Sequence, residues 1–71
     1  MRLPALTSAD VIRIIERAGF RFIRPRGSHR IFACGNALIV VPFHRGDLRT
    51  GTIRAIVKAS GLSTEAFLAL R

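Results

Sequence analysis

The chain has 71 residues, which is enough for one domain with a small hydrophobic core. Hydrophobic residues make up 49% of it, which excludes a disordered chain, but its longest apolar run is far shorter than the roughly 20 residues that cross a bilayer. Twelve Lys and Arg residues against four Asp and Glu residues give a net charge of +8, which favours a polyanionic partner and above all nucleic acid.

The first predicted element is a helix from Ser8 to about Ala18. Thr7 is a suitable N-cap because Asp10 stands at N3, as in a capping box, and Gly19 suits the position after the last helical turn. Apolar residues recur at helical spacing and predict one buried face, formed by Val11, Ile12, Ile15 and Ala18.

Three strands joined by short connections are predicted next, as an antiparallel meander. Pro25-Arg26-Gly27 predicts the first turn, and Gly35-Asn36 is a two-residue hairpin signal. The third strand is apolar enough to be the central, most buried one, and Pro42 closes it. The predicted strands are residues 20–24, 29–34 and 37–41.

Helical spacing returns after a polar loop. A second helix is predicted over residues 52–59 with Gly61 as its stop, and Ser63 caps a short last helix. Residues 1–71 are therefore predicted to form a single α+β domain of order α-β-β-β-α-α. Its helices should pack on one face of a three-stranded antiparallel sheet.

His29 stands two residues after Gly27, where the predicted first turn leads into the second strand and the glycine permits a tight backbone. RNA can be cut without a metal when its 2′-hydroxyl attacks the adjacent phosphorus, and histidine can supply the base or the acid for that step near neutral pH. A histidine that begins a strand is more often structural, so the residue pattern alone leaves both roles open.

Basic and polar residues around His29 form the rest of the candidate site. Arg24, Arg26 and Arg30 are suited to holding a phosphate, although strand alternation should turn Arg30 to the opposite sheet face. Ser28 either contacts a phosphate or only caps the turn, and His44 is either a plain loop residue or a second proton-transfer or phosphate-binding group.

Arg54 and Lys58 stand four residues apart on the second predicted helix and predict a stripe that contacts the RNA backbone, with an ordinary solvated face as the alternative. The two histidines, one cysteine and four scattered acidic residues have no convincing metal-ligand spacing, so neither a metal nor another cofactor is expected. The lone Cys34 fits a reducing cytoplasm, and no membrane segment or secretory signal is predicted.

The chain resembles the HicA family of bacterial toxins along nearly its whole length. Two positions depart from the common family pattern: Phe32 stands where Tyr is frequent, and Asp47 where a basic residue is frequent. The resemblance rests on four segments, which are Ala18-Gly19-Phe20, Gly27-Ser28-His29-x-x-Phe32, Val41-Pro42-x-His44-x-Gly46 and Gly51-Thr52-Ile53-Arg54-x-Ile56-x-Lys58-x-x-Gly61.

This resemblance implies a fold like that of double-stranded-RNA-binding domains. It also implies an mRNA interferase, a metal-independent endoribonuclease that cleaves mRNA and inhibits translation. The family's catalytic histidine corresponds to His29, and a HicB-type antitoxin is the implied protein partner.

Two other functions compete with this interpretation. A non-catalytic double-stranded-RNA-binding module would share the fold and charge but would have no need of His29. A DNA-binding helix-turn-helix in residues 53–70 is less favoured, because residues 64–70 offer no Arg, Asn or Gln to read base edges.

Overall fold

The computed structural model describes residues 2–71 and has the predicted α+β class and element order. Within those residues, no helix is long and apolar enough to cross a membrane. The elements are α1 (Ser8–Arg17), β1 (Arg21–Arg26), β2 (His29–Cys34), β3 (Ala37–Pro42), α2 (Thr50–Ser60) and α3 (Thr64–Ala69).

The start of α1 is fixed by the predicted capping box. The Asp10 amide donates to Thr7 Oγ1 at 3.1 Å, and the Thr7 amide donates to Asp10 Oδ2 at 3.0 Å. Hydrogen bonding to the Asp10 carboxyl by the Thr7 amide and then by the Thr7 side chain, helped by the Arg13 guanidinium 2.8 Å from Asp10 Oδ1, holds the pKa of that carboxyl below its ordinary value. The helix buries Val11, Ile14 and Ile15 against the sheet.

The three strands form one antiparallel sheet of order β1-β2-β3. The prediction that the apolar third strand would be central was wrong. Two consecutive hairpins place the second strand in the middle, so β3 lies at an edge of the sheet. Its apolar residues divide between the two faces: Ile39 and Val41 join the core, while Leu38 and Val40 are exposed.

The first strand is longer than predicted and includes Pro25 and Arg26. The actual turn is Gly27-Ser28, not Pro25-Arg26-Gly27. Because β1 is an edge strand, the N–H that Pro25 lacks does not interrupt the sheet. The register also shifts between Phe22 and Arg24, where a bulge bends this edge.

Cross-strand pairing assigns residues to the two faces of the sheet. Phe32 pairs with Ile39, and Arg30 pairs with Val41, on the side covered by the helices. His29 pairs with Pro42 and lies on the opposite side of the sheet. The buried core lies between sheet and helices and consists of Leu6, Val11, Ile14, Ile15, Phe20, Phe32, Ile39, Val41, Leu48, Ile53, Ile56, Val57 and Phe67.

The last two helices complete the core. α2 begins two residues before the predicted start, and the predicted stop, Gly61, follows its last residue with a φ of 77° that glycine readily adopts. Ser63 caps α3 as predicted, with its Oγ accepting a hydrogen bond from the Ala66 amide at 3.1 Å. This cap directs the fully buried Phe67 into the core.

Candidate functional site

His29 is the first residue of β2, and its side chain is exposed. The preceding turn depends on Gly27, which has a φ of 58°. The main chain beside His29 is nevertheless firmly held, since the Phe43 amide donates to the Ser28 carbonyl oxygen at 2.7 Å. The imidazole is thus accessible to a ligand while its backbone is fixed at the junction of β2 with the end of β3.

Two arginines lie on the same face of the sheet as His29. Arg26 is its direct cross-strand partner, and Arg24 is paired with Ile31, the next residue of β2 on that face. Directly paired residues have Cβ atoms about 5 Å apart, which long side chains easily bridge. Both arginines are exposed, so their guanidinium groups can reach a phosphate that contacts the imidazole.

His29 also lines an open groove of about 520 Å³ between β3 and α2. The sequence analysis did not predict this groove. The only signal for it in the sequence is the apolar residues at the alternate, outward positions of the third strand. The residues that line it are His29, Leu38, Ile39, Val40, Pro42, Gly51, Thr52, Ala55, Ile56 and Ala59.

Arg30 does not join the cluster around His29. Its guanidinium carbon lies 4.0 Å from the centre of the Phe43 ring and 5.9 Å from that of Phe22, on the helix side of the sheet. The Arg30 Nε atom is buried and has no hydrogen-bond partner within residues 2–71. Strand alternation would allow Phe22 to be a core residue, but its side chain is 46% exposed and borders a cavity that also contains Ile12 and Glu16.

His44 lies apart from His29, in a separate cavity with Ser8 and Arg45. Its Nδ1 atom is 2.8 Å from the Arg45 carbonyl oxygen, so Nδ1 carries the hydrogen in this arrangement. The His44 amide donates to Ser8 Oγ at 3.3 Å, and this hydroxyl donates to the Pro42 carbonyl oxygen at 2.6 Å. These contacts fix the loop after β3, and they indicate that His44 has a structural role in this loop.

The Ser28 hydroxyl is exposed in the turn and makes no hydrogen bond within residues 2–71, so it is free to contact a ligand. Arg54 and Lys58 are exposed on α2, but neither lines the groove. They lie on the solvent side of this helix, and its first turn contains no acidic residue to offset their charge.

No group of three or more His, Cys, Asp and Glu side chains converges within residues 2–71 in a way that could hold a metal ion. The arrangement therefore offers an accessible imidazole, cationic groups on the same face, and an adjoining groove. Such a set can transfer a proton and stabilise a phosphate.

Comparison with known proteins identifies the family. A protein-family model, that of the HicA toxin of bacterial toxin-antitoxin systems, matches residues 8–62. This range spans α1 to the end of α2 and includes every candidate residue. A comparison with curated proteins found no match. The family is generally known for mRNA-cleaving toxins, and a toxin-antitoxin system implies a cognate HicB antitoxin. Since the match covers well over half of its residues, the chain belongs to the HicA toxin family.

Proposed function

We propose that this toxin is an endoribonuclease that cleaves mRNA through proton transfer at His29, without a metal ion, and thereby inhibits translation. The proposal rests on one observation above all: His29 is exposed on a fixed backbone, on the same face as Arg24 and Arg26. The proposed substrate sets its place of action in the cytoplasm.

The proposed reaction is attack by a ribose 2′-hydroxyl on the adjacent phosphorus. The His29 imidazole removes the proton from that hydroxyl or delivers one to the leaving 5′-oxygen. Negative charge develops on the phosphate oxygens, and Arg24 and Arg26 stabilise it. In this proposal the Ser28 hydroxyl, directly before the histidine, donates a hydrogen bond to the same phosphate.

The other candidate residues have different parts in this proposal. Arg54 and Lys58 bind the RNA backbone away from the cleaved bond. His44 is not assigned to proton transfer, because it lines a separate cavity and its Nδ1 atom is engaged by the Arg45 carbonyl. Arg30 is not assigned to phosphate binding, because it stacks on Phe43 on the other face of the sheet.

A helix-turn-helix function is disfavoured by the surface of α3. Its exposed positions are Glu65, Ala66 and Ala69, which supply no donor for a base edge and place a carboxylate toward the DNA phosphates. A non-catalytic RNA-binding module is distinguished from the proposed nuclease by cleavage itself.

The decisive experiment compares the purified toxin with His29→Ala and with His44→Ala on single-stranded RNA, in buffer that contains EDTA. We expect His29→Ala to retain its circular dichroism spectrum and lose cleavage by about 100-fold or more, the usual contribution of a general acid or base. His44→Ala should keep most of the activity. The products should carry 2′,3′-cyclic phosphate and 5′-hydroxyl ends; 5′-phosphate ends, or full activity of folded His29→Ala, would contradict the proposal.

A further inference from the structure

The two edges of the sheet differ in their protection against pairing with another strand. β1 has a bulge, a proline and three arginines, which are features that block such pairing. β3 has the sequence Ala-Leu-Ile-Val-Val-Pro, with no charged residue, and its register against β2 is regular. An exposed, regular and apolar edge is normally covered by something else.

The hydrogen bond from Phe43 to the Ser28 carbonyl shows which main-chain groups of β3 face outward. In an antiparallel pair, residues alternate between bonding toward the partner strand and pointing away from it. Counting back from Phe43, Val41, Ile39 and Ala37 bond toward β2. The N–H and C=O groups of residues 38, 40 and 42 therefore point away from the sheet.

Only one of these three outward positions has a partner. Pro42 has no N–H, and its carbonyl accepts the hydrogen bond from Ser8. Leu38 and Val40 make no main-chain hydrogen bond outside the sheet within residues 2–71. Each of these residues thus presents one free N–H donor and one free C=O acceptor. The two residues lie one two-residue repeat apart along the strand.

There is room for another chain beside these groups. The groove between β3 and α2 runs past Leu38 and Val40, whose side chains are 61% and 46% exposed. On α2 its wall is formed by the small side chains of Thr52, Ala55 and Ala59.

We propose that the outer edge of β3 binds an extended segment of the antitoxin as a fourth strand. This inference rests on the partner that family membership implies and is independent of the proposed catalytic role of His29. Main-chain hydrogen bonds to Leu38 and Val40 supply affinity, and apolar side chains at alternate positions of the added strand contact the groove.

The chemistry of the edge selects this occupant over two others. An RNA backbone presents mostly acceptor oxygens, with the 2′-hydroxyls as its only donors for the carbonyls of Leu38 and Val40, and it gains little from their apolar side chains. A second copy of the toxin would bring together two chains of charge +8 each. An acidic segment of another protein meets both the hydrogen-bonding and the charge requirement.

The location of this edge gives strand addition a direct effect on the site. Pro42 of β3 is the cross-strand partner of His29, and His29 lines the groove itself. A strand that follows β3 from Leu38 to Pro42 therefore ends beside the imidazole and covers the approach to it. Inhibition then requires no unfolding of the toxin.

Proline at position 38 tests the main-chain pairing. Leu38→Pro removes an outward N–H without removing a hydrogen bond to β2, and a proline is tolerated there in an edge strand. Leu38→Ala is the matched control because it shortens the same side chain but keeps the N–H. We expect Leu38→Pro to bind the cognate antitoxin at least about tenfold more weakly than Leu38→Ala, with both variants folded by circular dichroism. Equal affinities of the two variants would overturn the proposal.

Hydrogen exchange of the wild-type toxin provides a second test that does not depend on the folding of a variant. The Leu38 and Val40 amides should exchange at least about tenfold more slowly in the antitoxin complex than in the free toxin. Unchanged exchange at both amides overturns strand addition, as does equal protection by single-stranded RNA or by raising the concentration of the toxin alone. RNA cleavage by wild-type toxin, measured separately, tests the role of His29 and has no bearing on this result.

Discussion

The Arg30 guanidinium lies 4.0 Å from the centre of the Phe43 ring, and this contact joins the central strand to the loop that follows β3. Such cation–π pairs contribute about 0.5–2 kcal/mol. We expect Arg30→Met and Phe43→Leu to show a coupling of about 1 kcal/mol in a double-mutant cycle, measured by urea unfolding. If the effects of the two substitutions on the free energy of unfolding are additive, the contact does not stabilise the fold. The cycle is needed because Arg30→Met alone also removes a buried Nε–H without a partner, which offsets part of its cost.

The basic stripe on α2 should act on RNA binding through charge. Replacing Arg54 and Lys58 by Ala should weaken binding to all RNA sequences and lower the log–log salt slope by about 0.7 for each lost contact on single-stranded RNA. The matched control is Arg13→Ala with Arg17→Ala, which removes the same charge at the same spacing from α1. Equal changes in the two double variants would show that only net charge matters.

Asp10 should make the stability of α1 depend on pH in the acidic range. Its carboxyl has a pKa below the ordinary value of 3.8, chiefly because the Thr7 amide and hydroxyl bond to it. A lowered pKa in the folded state stabilises the protein above the unfolded value, and this stabilisation is lost as the pH falls through the folded value. Asp10→Ala should therefore lower the Tm at pH 7, and the difference from wild type should shrink at pH 3. A difference of equal size at both pH values would assign the effect to helix propensity alone.

Complex formation with the antitoxin should survive the loss of the imidazole. His29→Ala should still copurify with the antitoxin, because docking requires accessible surface and not proton transfer. Hydrogen exchange should show protection of residues 24–32 in this complex, as occlusion of the site requires. Protection restricted to α2 and α3 would contradict occlusion, however tight the complex.

Local chemistry accounts for most of what the sequence predicted correctly. The capping box of Thr7 and Asp10 and the Ser63 cap depend on residues three apart, and the hairpin at Gly35-Asn36 depends on the turn itself. The position of Pro25 was misjudged because a proline fits both a turn and an edge strand, and only the pairing of β1 with β2 distinguishes the two.

Features formed by distant segments could not be predicted in this way. The groove exists because α2 packs beside β3, and nothing in the spacing of either element specifies that distance. The stacking of Arg30 on Phe43 likewise depends on where the loop after β3 turns. The side of the sheet occupied by His29, Arg24 and Arg26 follows from strand alternation only once the true turn, Gly27-Ser28, is known.

The groove has one wall from the sheet and one from α2, and this division sets the order in which the site is assembled during synthesis. The ribosome completes all three strands by Pro42, and both hairpins can form early because their contacts are local. The second wall, with Thr52, Ala55 and Ala59, is made later. The groove therefore cannot exist until α2 has been made, so a nascent chain that ends before Ala59 does not yet possess the whole site.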